Sequence, residues 1–374
     1  MNDDSLKYKI GIGLIPKIGP VLARRLISFC GSIEGVFREK GSTLSRIPGI
    51  GKKLAGNIAE RAVMERAARE VEYIAANNIK PLFYLDSGYP ERLKHCDDAP
   101  LIIFVKGDAC FSESKVLAVV GTRNATGYGK DMCNRLIQDL AHNNHDVLVV
   151  SGLAYGIDIC AHRAALDNNL RTMAVLGHGH GTIYPHIHKE VAGRIITKGA
   201  LISEFLHDEL PEPPNFIRRN RIIAGLSDAV VIVESGEKGG ALITADLANS
   251  YNRDVFAFPG RLTDRYSAGC NRLIKTNRAA LIENYHDLEY ILGWKSDRPV
   301  CPNAQRQLFT GLDNDELRIL DTVSGSSDMT IDQISLFCDM PMSKVSALLL
   351  GLEFKGLIKC MPGKVYRKIQ VSHY

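Results

Sequence analysis

The sequence predicts an α/β protein built on a doubly wound, mostly parallel sheet, and three observations carry that expectation. Six short runs are nearly all apolar, as strands buried on both faces are: VLAVVG (116–121), DVLVVSG (146–152), TMAVLG (172–177), ALISEF (200–205), DAVVIVE (228–234) and DVFAFPG (254–260). Amphipathic segments separate them. In YGKDMCNRLIQDLAHNN (128–144), Met132, Leu136, Ile137 and Leu140 recur on one helical face, so each crossover reads as a βαβ unit. The glycine-rich strings GTRNATGYG, SGLAYGID, GHGHG, SGEKGGALITA and PGRLTD follow strands, at the carboxyl ends where ligands of such sheets bind.

Composition sets the limits around this sheet. The 374 residues are 45% hydrophobic and 24% charged, enough chain and enough apolar surface for two or three cored domains. A formal net charge of +4 is too small to hold an anionic partner through the global field, so local patches must do it. The nine cysteines (30, 96, 110, 133, 160, 270, 301, 338, 360) contain no C-x-x-C pair, which argues against a zinc ribbon or a disulfide framework and for buried thiols in a reducing compartment. MNDDSLKYK has no signal-peptide apolar region, and no apolar run approaches eighteen residues; a cytoplasmic protein without a membrane span is expected.

Three domains follow along the chain. Residues 1–75 are helical in pattern and hold an internal repeat, LIPKIGPVLARRLI (14–27) and RIPGIGKKLAGNI (46–58), which resembles the helix-hairpin-helix. Gly49 and Gly51 in the second copy allow a tight hairpin whose N–H groups face a phosphate, or simply pack two helices; Lys52 and Lys53 favour DNA. Residues 80–296 form the α/β domain. DRPVCPNAQRQLFTG (297–311) is a polar linker, and residues 312–374 read as three helices and a short hairpin around MPGKVYRK, the order of a winged helix. Its third helix buries Val345, Leu348, Leu349 and Leu352. Lys344 and Lys355 alone are too little charge for a strong major-groove reader, so a protein-interaction or auxiliary DNA role is expected.

The glycine loops, each followed by a helix with unpaired N–H groups, point to a phosphate-bearing ligand. No loop reads G-x-G-x-x-G with an acidic residue about twenty positions on, and none reads G-x-x-x-x-G-K-[ST], so a dinucleotide and a hydrolysed nucleoside triphosphate are both disfavoured. In PNFIRRNRIIAGLSD (214–228), Arg218, Arg219 and Arg221 surround Asn220 at the start of a helix. Three such cations repel one another, so an anion, or acids such as Glu204 and Glu234, must offset them; an extended phosphate backbone is the expected anion. Arg123, in the loop after the first of the six strands, joins the same expected rim.

GTRNATGYG, SGLAYGIDICAHRAAL, NFIRRNRIIAGLSDAVVIVE, GGALITADLA and DVFAFPG followed by SAGCNRLI, in this order, closely resemble the DNA-processing protein A family, DprA or Smf. The resemblance covers residues from about 80 to 290, and both flanking units look like domains that members of the family carry, the first of them SAM-like. It implies a Rossmann-like protein without catalytic activity or cofactor, which binds single-stranded DNA and loads the RecA recombinase onto it during natural transformation and recombination. It carries over Gly121, Thr122 and Arg123 as a DNA-contacting loop, with Gly152, Arg219, Asn220, Arg221 and Gly240 on the same face. It also implies a homodimer through the Rossmann-like domain.

The stretch GHGHGTIYPHIH (177–188) holds four of the eleven histidines, and His178, His180, His186 and His188 could together make a four-nitrogen zinc site. Gly179 and Gly181 leave that loop poorly preorganised, so no metal is expected. The resemblance makes it a DNA-groove loop in which His186 follows Tyr-Pro and Lys189 supplies charge; Tyr184 is a candidate for stacking on a base or for packing a corner. No G-x-S-x-G occurs. Asp158 and His162, four apart on one helix, are the one candidate acid–base pair and are expected to shape the crevice instead. The rival reading is a nucleotide-binding enzyme of the phosphoribohydrolase kind, using PGGxGTxxE; SGEKGGALITAD has Ala245 and Asp246 near where its glutamate would stand.

Overall fold

The computed structural model describes residues 3–59, 63–295, 312–323, 329–355, 357–361 and 365–368. They fall into two compact units, Met1–Val300 and Cys301–Tyr374. The predicted linker 297–311 lies outside the described residues.

The first unit is organised by nine strands: β1 (Lys80–Phe83), β2 (Ile102–Gly107), β3 (Val116–Val120), β4 (Leu148–Ser151), β5 (Thr172–Val175), β6 (Ala200–Ser203), β7 (Ala229–Ile232), β8 (Asp254–Ala257) and β9 (Ala280–Leu281). Their order is β1-β2-β6-β5-β4-β3-β7-β8-β9. From β6 to β9 every pair is parallel, whereas β2 runs antiparallel to β6 and β1 antiparallel to β2. The six apolar runs are therefore the six central parallel strands. Side chains alternate between two cores: Ala118, Val120, Val230 and Ile232 pack with Ile222, Leu226 and Leu242, while Leu117, Val119, Ala229 and Val231 pack with Leu136, Ile137 and Ala161 on the opposite face. Helices on both faces make the sheet doubly wound.

The antiparallel pair β1–β2 was not expected, and it ties residues 1–75 to the sheet. Leu82, Ile103 and Val105 point into the sheet's own core, but Phe83, Ile102 and Phe104 join Ile10, Leu26, Phe37, Ile50 and Ile58 of the N-terminal helices. Composition changes at residue 75; the core does not. The boundary is reinforced by Glu70, buried against the His207 backbone N–H and Nδ1 (2.6 Å), with Tyr73 stacked on the His207 ring at 3.9 Å. Strand β1 also closes its outer edge. Tyr84 donates inward to the Leu101 carbonyl (2.8 Å), so alternation turns Pro81 and Phe83 outward: Pro81 has no N–H, and that of Phe83 is taken by Asp86 Oδ2 (2.9 Å). No outward N–H is left on β1 to template another strand.

Within the helical repeat, Gly49 adopts φ +89°, the left-handed geometry its hairpin needs, and Lys17 holds the equivalent place in the first copy at φ +66°. A lysine there costs about 1 kcal/mol that glycine avoids. In the second unit, helices Asn314–Val323, Ile331–Cys338 and Met342–Phe354 pack through Ile319, Ile334, Val345, Leu349 and Leu352 beside a three-stranded sheet, β10 (Met329–Thr330), β11 (Ile358–Met361) and β12 (Val365–Lys368), ordered β10-β12-β11. Leu348 is only partly buried. Lys344 and Lys355 are neutralised by Asp315 and Glu316, leaving Ala347, Leu350 and Phe354 outermost on the third helix. Among the described residues no single helix is long and apolar enough to cross a membrane.

Candidate functional site

Strand order reverses between β3 and β7. The helix after β3, Gly127–His142, packs on one face of the sheet and the helix after β7, Gly240–Ser250, on the other, so the intervening loops diverge and leave a crevice of about 380 Å³. Gly121, Thr122, Arg123, Arg219, Asn220 and Gly240 line it. Gly152 lies one layer beneath: a Cβ there would collide with the Arg219 guanidinium and the Asp158 carboxylate. Gly156, at φ +80°, lets the helix Ile157–Asp167 begin against the Thr122 carbonyl, which accepts from Ile157 N at 3.2 Å.

The predicted arginine rim is corrected. On the helix Pro213–Leu226, successive residues turn by about 100°, so Arg218 and Arg221 share one direction and Arg219 another. Arg218 (2.8 Å) and Arg221 both pair with buried Glu204, and Arg221 also donates to the Asp98 carbonyl; neither lines the crevice. Arg219, 4% exposed, is spent on the Val175 carbonyl, Asn220 Oδ1 (3.2 Å) and Asp158 at 4.0 Å. Burial pushes the Asp158 carboxyl above its ordinary range against the opposing pull of Arg219. Of the two acids held open as partners, Glu204 serves Arg218 and Arg221, whereas Glu234 accepts instead from Thr126. The floor is an internally compensated pair.

Arg123 is different. It is exposed at the mouth, its guanidinium 5.1 Å from the centroid of the Phe216 ring, and Tyr184, 44% exposed, lies against the same ring at 5.9 Å. A cation and two aromatic faces in one row offer a phosphate contact beside stacking surfaces. Phe216 was missed because the arginines at 218, 219 and 221 dominate its segment; the signal was an aromatic just ahead of a basic run at a helix start. A second cleft shares Thr122 and Gly239 with the first and is lined by Asn124, Lys238, Arg265 and Tyr266. His186 and Lys189 are exposed but do not line the crevice.

The other three histidines of the stretch 177–188 are structural. His178 is buried, its Nδ1 at 2.8 Å from the Gly179 carbonyl and its Nε2 accepting from Tyr184 N (3.3 Å); His180 Nε2 donates to the Phe104 carbonyl (2.9 Å) and His188 Nδ1 to that of Leu153 (2.8 Å). Each braces a different backbone segment, and among the described residues no three His, Cys, Asp or Glu groups are placed to hold a metal. His162 donates Nε2–H to the Gly152 carbonyl (2.6 Å), beneath the crevice and outside it, so it does not work with Asp158 as an acid–base pair. Burial pushes His162 and His180 down to about 4 from an ordinary 6.5. As pH falls from 6.5 to 4 the unfolded chain takes up protons that these folded imidazoles refuse, a loss of roughly 3 kcal/mol of stability for each. Both are expected to remain untitrated at pH 5 in imidazole NMR spectra; a midpoint near 6.5 for either would contradict this burial.

Asp246, near the place of a phosphoribohydrolase glutamate, instead pairs with Arg278, and Ala245 is buried. The titratable groups lining the crevice are Arg123, Asp158, Tyr184 and Arg219.

Residues 80–292 match the family described as DNA recombination-mediator protein A, residues 13–63 a SAM-like helix-hairpin-helix tandem, and residues 303–364 the DprA winged helix domain. The chain is 31% identical to the protein Smf of Synechocystis over 403 aligned positions, covering 98% of this chain and all of that one. It is 36% identical to Escherichia coli Smf over 296, covering 76% of each. Streptococcus pneumoniae DprA superimposes with a TM-score of 0.64 at 30% identity, covering 76% of this chain and 97% of that one. A Helicobacter pylori DNA processing protein A, described for its single-stranded DNA binding mode, gives 0.52 at 30% identity, covering 57% and 95%.

Proposed function

Because the chain belongs to the DprA/Smf family of DNA recombination mediators, we propose that its crevice holds single-stranded DNA and that the protein delivers the bound strand to the RecA recombinase during natural transformation and related recombination. The observation that carries this is the Arg123–Phe216–Tyr184 row at the mouth of a crevice whose floor charges cancel. The exposed Tyr184 ring suits an unstacked base, which a duplex keeps inside. The bound strand is contacted by the loop Gly121–Thr122–Arg123, by Asn220 and by Gly240 at its helix start, with His186 and Lys189 receiving the strand beyond the crevice. Gly152, Arg218, Arg219 and Arg221 serve that surface from behind or beside it. A homodimer through the α/β domain is part of the same proposal.

The test is a titration of the full chain with single-stranded and duplex oligonucleotides over a salt series. Tighter single-strand binding that weakens steeply with salt supports the proposal; equal or better duplex binding refutes it. The protein acts without bond breaking. Incubation with nucleoside monophosphates should release no free base, and efficient turnover would install the phosphoribohydrolase reading in its place.

A further inference from the structure

In doubly wound sheets, the N-terminus of the helix after the first parallel strand is the usual seat of a ligand phosphate. Here the chain fills it. Glu234, 2% exposed in the loop after β7, accepts from Thr126 N (2.9 Å) and from Thr126 Oγ1 (2.5 Å) at the start of the helix Gly127–His142, and Thr126 Oγ1 in turn accepts from Gly129 N (3.3 Å). Gly129 makes the room, since a Cβ there would collide with the carboxylate. The main chain of Glu234 works on the same loop from its other end, its carbonyl accepting from Thr122 N (2.8 Å). One residue therefore grips both ends of the segment 122–126, with Arg123 between the two grips.

We propose that Glu234 is a positioning residue: a built-in anion that replaces phosphate at this helix terminus and thereby holds the Arg123 loop ready for a DNA strand. A tethered carboxylate loses no translational freedom on arriving, so the loop is ordered at any ligand concentration. The inference rests on the reading that Arg123 meets the strand.

The experiment compares full-length wild type, Glu234→Ala, Glu234→Gln, Arg123→Ala and Arg123→Ala/Glu234→Ala in single-strand titrations and thermal melts, each in sodium chloride and in sodium acetate at equal ionic strength. Glu234→Ala should bind about tenfold more weakly, a loss of about 1.4 kcal/mol. Acetate should restore part of both its affinity and its melting temperature while leaving wild type unchanged. Glu234→Gln, which keeps one acceptor, should fall between them, and it carries the test if the alanine variant does not fold. Because Glu234 acts through Arg123, the double variant should bind no more weakly than Arg123→Ala alone. Additive losses, wild-type affinity in a folded Glu234→Ala, or an equal acetate effect on wild type would each overturn the proposal. If Arg123→Ala binds like wild type, the strand-contact reading fails instead, and the acetate melts still decide whether Glu234 fills the phosphate seat.

Discussion

Arg219→Ala is expected to destabilise the protein by roughly 3–5 kcal/mol, because it leaves one partner of a buried ion pair behind. Asp158 is 7% exposed and faces Arg219 at 4.0 Å, and the Val175 carbonyl loses its guanidinium donor at the same time. The loss must depend on pH. The folded Asp158 carboxyl already titrates above its ordinary value because burial outweighs Arg219, and removing Arg219 takes away the largest opposing influence. A carboxyl raised in the folded state contributes stability that is fully present below its unfolded value, near 3.9, and is lost as pH rises through the folded value. The gap between variant and wild type, measured by denaturant unfolding, should therefore narrow as pH falls from neutral toward the ordinary carboxylate range and Asp158 takes up its proton. A gap of equal size at both ends of that range would mean that the stranded carboxylate is not its source. Adding Asp158→Asn should recover part of the loss, since it removes the charge that was left unpaired.

The same helix shows how far the site was legible in the sequence. That Arg218, Arg219 and Arg221 needed anionic partners followed from their spacing; which partners they had did not, because the choice between Glu204, Asp158 and a nucleic acid is made by tertiary geometry. The parallel strands were readable since burial on both faces demands unbroken apolar runs. IIFVKG of β2 opens on four apolar residues in a row, but its direction and its second packing face depend on helices encoded 25 to 100 residues earlier, and no local pattern records that. Glycine positions told where the crevice lies, yet not that Glu234 closes the phosphate seat beside it: a glutamate at the end of DAVVIVE reads like any polar residue after a strand. Of the histidines, only a packed core distinguishes a ligand from a backbone brace, and the sequence lacks that information.

Arg123→Ala is expected to weaken single-strand binding by about 10- to 100-fold near 0.1 M salt, the equivalent of one charge-assisted hydrogen bond of roughly 1.5–3 kcal/mol. The size follows from isolation. Arg218, Arg219 and Arg221 are engaged with Glu204 and Asp158, so Arg123 is the exposed cation of the crevice lining, and no neighbour in that lining compensates for its loss. Its contribution must also appear in the salt dependence, because neutralising one phosphate releases counterion: the slope of log affinity on log salt should become shallower by about 0.7. Tyr184→Ala provides the contrast, with a comparable loss of about 1–3 kcal/mol from stacking but an unchanged slope, since a ring displaces no counterion. Fold loss does not confound either variant, because both side chains are largely outside the core. If Arg123→Ala kept the wild-type slope while Tyr184→Ala altered it, the phosphate and base positions in the crevice would have to be exchanged; if neither changed affinity, the strand would have to lie on another face of the sheet.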